Sequence, residues 1–211
     1  MTSTTWRHRA ALACLVAGSV LLTLDDLIKP EVGDGASSVA QAVAGSPTAW
    51  LFGWTLTMLG ATVLVPGIAA LGGRVDRRGA GLSTAGVILM GAGLVGTAAL
   101  AASNLVLEPL VGNDPSAAVP TIERMNESAA LLTVFLLYLP GRFFGLPLLI
   151  GGLLRAGLAP AWALVAAIGS VLVGFVGSSL VPEADAVSSV LMLLAFGGVL
   201  THRPAHIPAP A

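Results

Sequence analysis

The stretch Thr121 to Ala156, TIERMNESAALLTVFLLYLPGRFFGLPLLIGGLLRA, is apolar over most of its length and yet carries an arginine at position 142. A helix of about 20 mainly apolar residues crosses ~30 Å of hydrocarbon. This stretch is longer than one straight span needs, since roughly 35 residues measure about 52 Å at ~1.5 Å each. Its first two turns, bearing Glu123 and Glu127, are therefore expected above the bilayer or at its surface. A span follows, and the Pro140-Gly141 break then turns Arg142 inward.

The rest of the chain repeats the apolar theme. Of 211 residues, 55% are hydrophobic and 10% charged, with a mean hydropathy of +0.90. Such values lie outside the soluble globular range and predict an all-α polytopic membrane protein. Six transmembrane helices are drawn at about 10–28, 48–71, 82–107, 129–154, 160–181 and 184–200, forming a single membrane domain over 1–203. The proline-rich 204–211 reads as a disordered cytoplasmic tail. Between the first two spans, 31–45 carries Val39 and Val43 at helical spacing and supports at most a short helix at the outer surface. Ser46-Pro47 reads as a cap and first-turn pair, Trp50 and Trp54 as headgroup-level rings, and 109–120 as a loop with the turn signal Gly-Asn-Asp-Pro.

The basic residues set the orientation. With six spans, Arg7, Arg9, Arg74, Arg77, Arg78, Arg155 and Arg203 fall on one side and only Lys29 and Arg124 on the other. The tendency of Lys and Arg to stay in the cytoplasm then places both termini there, in a bacterial-type inner membrane. Along the third span, Gly86, Gly93, Thr97, Asn104 and Glu108 fall within about 60° of arc at ~100° per residue. That face lets a neighbouring helix approach closely, so a glycine-rich, tightly packed bundle is expected.

An arginine in hydrocarbon costs at least about 2.5–3.5 kcal/mol and requires a partner inside the protein. On a continuous helix, Glu127, Tyr138 and Arg142 lie at about 40°, 60° and 100° from Glu123, on one face. A polar pocket open to the outer side follows, to which the first helix contributes Asp25 or Asp26, with Glu123, Glu127, Glu108 and Asp26 as candidate catalytic carboxylates. Arg142, Tyr138, Asn104 and Thr97 are the candidate substrate-binding residues. Crowding and desolvation favour the protonated form of a carboxylate, so one acid donates while a neighbour accepts. Such a site suits isomerisation, cyclisation or epoxide opening on a lipophilic molecule arriving from the membrane lipids. The alternative is a transporter, or a subunit of one, for a cation or cationic amphiphile; two hundred residues would then call for a homodimer. The plainer reading makes Asp25, Asp26, Glu31, Asp34, Asp114, Glu183 and Asp185 hydrated helix-end carboxylates, and Arg142 a clamp onto Glu108 or another acid.

Other chemistries fit the sequence poorly. His8, His202 and His206 are terminal, and Cys14 is the one cysteine, so neither metal nor cofactor is expected. Gly91–Gly96 (GAGLVG) lies inside a span, where glycine serves packing rather than a dinucleotide. Beyond Arg74, Arg77 and Arg78 no basic cluster invites nucleic acid. Ser178-Ser179 and Ser188-Ser189 lack a membrane-embedded base and do not read as protease nucleophiles.

Overall fold

The computed structural model describes residues 3–75, 78–112, 114–177 and 184–202. They are all-helical: α1 (Ser3–Ile28), α2 (Ala36–Gly45), α3 (Pro47–Gly72), α4 (Ala80–Leu105), α5 (Leu107–Val111), α6 (Pro115–Asn126), α7 (Ala129–Pro140), a π-helical turn (Gly141–Gly145), α8 (Leu146–Arg155), α9 (Ala161–Val176) and α10 (Ala184–Thr201). Five helical segments, Arg9–Ile28, Pro47–Gly72, Ala80–Val111, Ala129–Arg155 and Ala184–Thr201, are long and apolar enough to cross a membrane. The apolar α9 has 16 residues, or about 24 Å at ~1.5 Å each. The end of the fifth expected span, Glu183 and the tail 204–211 lie outside the described residues.

The apolar helices close into a ring. α1 packs on α3, α3 on α4, and α4 on α7, the π turn and α8; α8 then leads through α9 to α10, which returns to α1. Leu15, Leu64, Ile68, Leu149, Ile150, Leu153 and Phe196 form the main buried core. Where α4 meets the 121–156 stretch, the approach is backbone against backbone. A Cβ added at Gly93 would lie 2.8 Å from Cα of Gly141, and one at Gly145 would lie 2.8 Å from Cα of Met90. Backbone cannot swing aside as a flexible side chain can, so these positions require glycine for the contact itself.

The structure around α2, α5, α6 and the start of α3 differs from the sequence expectation in three places. Residues 109–120 are largely helical rather than a loop, because Asp114 caps α6 and Pro115 starts it. The Asp114 carboxylate accepts from the Ser116 hydroxyl (2.6 Å) and from the amides of Ser116 (3.1 Å) and Ala117 (3.2 Å). The Ser116 hydrogen bond, with the two amides, holds its carboxyl below the ordinary carboxylate value. Second, Trp50 is 2% exposed, its indole N–H donating to the Asn104 carbonyl at 2.8 Å. It belongs with Val43, Val111 and Ile122 to a second apolar cluster joining α2, α5 and α6 rather than to a lipid interface. Third, Pro47 occupies the first turn of α3 as expected, but the Ser46 side chain makes no capping bond.

The close approach yields a paired test. Gly93→Ala drives a methyl into the Gly141 backbone, and overpacking of this kind costs about 1–3 kcal/mol. Gly91, two residues away, has nothing within 4 Å of an added Cβ, and alanine is intrinsically the better helix former by ~1 kcal/mol. Thermal unfolding of the detergent-solubilised protein should therefore fall for Gly93→Ala and hold or rise for Gly91→Ala.

Candidate functional site

Inside the helix ring lies a cavity of about 400 Å³, lined from α1, α3, α4, α7, the π turn, α9 and α10. One face of α4 supplies a wall through Met90, Gly93, Leu94, Thr97, Leu100 and Asn104. These positions recur every three or four residues, as one helix face must. The lining carries three carboxylates (Asp25, Asp26, Asp185) and two cations (Lys29, Arg142). Leu22, Met90, Leu94, Phe135, Val171 and Met192 make the rest largely apolar.

Each charged group in the lining is held differently. Asp25 is 2% exposed. It accepts from the Lys29 ammonium one helical turn on (3.0 Å) and from the Thr57 hydroxyl across the α1–α3 interface. The same ammonium lies 4.1 Å from the centroid of the Trp54 ring, a cation–π contact that occupies its open side. Arg142 reaches Asp185 on α10 at 3.3 Å and lies over the Tyr138 ring, its guanidinium carbon 5.8 Å from the centroid. Both members of that pair are partly open, at 39% and 49% side-chain exposure. Gly174 makes room for the guanidinium, because a Cβ there would lie 2.8 Å from an Arg142 terminal nitrogen. Asp26 accepts a 2.6 Å hydrogen bond from the Ser189 hydroxyl.

Comparison with protein-family models, curated proteins and solved structures finds no match for this chain. What the site does must therefore be read from its own geometry.

The residues named from the sequence divide into two groups. Asp26, Thr97, Asn104, Tyr138 and Arg142 all line the cavity. Thr97 and Asn104 also donate to the α4 carbonyls of Gly93 (2.9 Å) and Leu100 (2.9 Å), which leaves the Asn104 side chain its oxygen and its second N–H to offer a ligand. Glu108, Glu123 and Glu127 are not part of the lining. Glu108 sits on α5, while Glu123 on α6 and Glu127 just after it are exposed. The reason is the helix break: Ser128 caps a new helix, its hydroxyl accepting from the Leu131 amide at 3.2 Å. A single helical projection therefore does not run from Glu123 to Arg142. The partner of Arg142 is Asp185 rather than Glu108.

Several lining residues were read differently or passed over in the sequence. Asp185 looks like a hydrated helix end, Asp25 stands as the alternative to Asp26 on the first helix although both line the cavity, and Ser188-Ser189 look like nucleophiles without a base. The available signal was spacing: Asp25 and Lys29 are four apart, and Asp185, Ser188, Ser189 and Met192 share one face of α10. Ser170 and Ser188 clasp α9 to α10, each hydroxyl donating to the other's carbonyl at 2.8 Å.

The buried Asp25 cluster should act as the site's foundation. Asp25→Ala leaves the Lys29 ammonium without its carboxylate and the Thr57 hydroxyl with the Gly53 carbonyl (3.2 Å) as acceptor, and removing one member of a buried ion pair costs about 3–5 kcal/mol. Asp25→Ala combined with Lys29→Met should recover most of the loss of thermal stability, whereas an equal loss in single and double variants would show that the pair is not the cause.

Proposed function

We propose that this chain is a membrane-embedded enzyme performing acid/base chemistry on a lipophilic substrate, with Asp26 as the proton-transferring group. The observation that carries the reading is the environment of Asp26. The two cations of the lining are bonded to Asp25 and Asp185, while the Asp26 carboxylate is held by a neutral hydroxyl at the wall of a cavity within the apolar bundle. A carboxyl so placed exchanges a proton with whatever occupies the cavity, and Ser189 fixes its orientation. About 400 Å³ is within the ~300–1,000 Å³ typical of small-molecule sites. Tyr138, Asn104 and Arg142 lie around the same space and would orient an oxygen on the substrate. The fitting reactions are isomerisation, cyclisation or epoxide opening, none of which requires a redox partner.

In this reading the chain crosses a bacterial-type cytoplasmic membrane six times, with α9 as the fifth crossing and both termini in the cytoplasm. The cavity then faces outward, and the close packing of α4 on the π turn and α8 closes it toward the cytoplasm. That closure favours an enzyme over a carrier, which needs a second gate on the inner side.

The test is turnover. Purified protein in lipid nanodiscs, incubated with a panel of isoprenoid and alkenyl epoxides, alcohols and olefins, should convert at least one to an isomer, a cyclised product or a diol seen by mass spectrometry. General acid–base catalysis contributes about 10²–10⁴-fold, so Asp26→Asn should lose about that factor while Glu123→Gln retains the activity. Full activity in Asp26→Asn would contradict the assignment. Movement of a panel member into sealed proteoliposomes without chemical change would favour the carrier.

A further inference from the structure

The walls of the cavity differ in height. Phe175, next to the last residue of α9, meets Phe143 of the π turn with ring centroids 4.7 Å apart. Asp185, in the first turn of α10, reaches Arg142 of the same turn at 3.3 Å. Among the described residues, α9 and α10 thus extend only to the π turn, which lies in the middle of the 27-residue apolar segment Ala129–Arg155. Beyond it α7 continues for 12 residues, about 18 Å at ~1.5 Å each. α7 packs on α4 and the π turn, and among the described residues it does not pack along α9 or α10. The other seams of the ring, α1 with α3, α3 with α4, α8 with α9, α9 with α10 and α10 with α1, are all closed by helix packing. Accordingly no residue of α7 is fully buried, although Phe135 and Tyr138 line the cavity.

A slot is left in the side of the ring, with α7 along one edge and the ends of α9 and α10 along the other. Its depth in the membrane follows from the surface of α7. Leu132, Leu136, Leu137 and Leu139 are all exposed there, and a helix so covered in leucine lies in hydrocarbon rather than in water. The slot therefore faces acyl chains. Its lip is the Arg142–Asp185 pair, whose opposite charges cancel, so an apolar molecule passing over it meets no net charge. Phe135 stands on the rim, both exposed and part of the lining.

We propose that the cavity is loaded sideways from the bilayer: a lipophilic molecule leaves the hydrocarbon, passes between α7 and the ends of α9 and α10, and reaches Asp26 without first leaving the membrane. The proposal rests on the reading above for the cavity's being a substrate site; the route itself rests on the heights of the walls.

The test is photolabelling by lipid. The protein is placed in nanodiscs of phosphatidylethanolamine and phosphatidylglycerol containing a phosphatidylcholine with a diazirine in one acyl chain, and cross-linked residues are read by mass spectrometry. Leu132 and Leu136, on the outward surface of α7, report that the probe surrounds the protein. Met90 and Leu94 line the cavity and are only 6% and 7% exposed, so an acyl chain labels them only by entering. Both should label, whereas Leu64, buried in the core and absent from the lining, should not. Phe135→Trp, which narrows the slot at its rim, should lower labelling of Met90 and Leu94 and leave that of Leu132 and Leu136 unchanged. Labelling confined to Leu132 and Leu136 would overturn the route, as would interior labelling that Phe135→Trp leaves unchanged. Interior labelling of a protein that turns over no member of the substrate panel would instead remove the acid/base reading and leave the route standing.

Discussion

A charged side chain within hydrocarbon must find its partner inside the protein, and this constraint organises the bundle. Three carboxyl groups and two cations, Asp25, Asp26, Asp185, Lys29 and Arg142, meet around one cavity. Each would cost at least about 2.5–3.5 kcal/mol if it faced lipid alone. Their contacts join helices that are distant in sequence: Asp25 and Thr57 tie α1 to α3, Asp26 and Ser189 tie α1 to α10, and Arg142 with Asp185 ties the π turn to α10. The polar network and the helix ring are thus one arrangement seen from two sides.

Backbone geometry sets where those charges stand. Pro140 offers no N–H to its helix and Gly141 has no Cβ; the first precedes and the second opens a π-helical turn in the middle of the 121–156 stretch. The turn brings Gly141 against Gly93 and Gly145 against Met90. Arg142, between them, emerges over Tyr138 and reaches across to α10 in the space that Gly174 leaves open. Replacing small residues here would move a charge as well as a helix.

Much of this was legible in the chain itself, and the part that was not has identifiable causes. Composition alone gives an all-helical chain with membrane-spanning character, because no soluble core accommodates so little charge. Arg142 stands out as an anomaly, and Tyr138 on its own helical face, Thr97 and Asn104 on α4 and Asp26 on α1 follow it into the lining. Glu123 and Glu127 do not, since their angular relation to Arg142 holds only for an unbroken helix, and Ser128 breaks it. Asp185 and Ser189 become partners of Arg142 and Asp26 only through tertiary folding, across 43 and 163 residues of chain. The second apolar cluster of α2, α5 and α6 is hidden in the sequence because a Gly-Asn-Asp-Pro turn signal and an Asp-Pro helix start use the same residues.

The central claim is that these charges face a shared, water-reachable cavity open to one side of the membrane. The direct measurement is accessibility from each side. In a Cys14→Ser background, single cysteines replacing Asn104, Ser189 and Leu132 would be treated with a membrane-impermeant maleimide applied from the outer or the cytoplasmic side. An outward-facing cavity requires Asn104→Cys and Ser189→Cys to react from the outer side alone, with Leu132→Cys, 61% exposed on the outer surface of α7, shielded by lipid. Reaction of Ser189→Cys from the cytoplasmic side, or from neither, would contradict it.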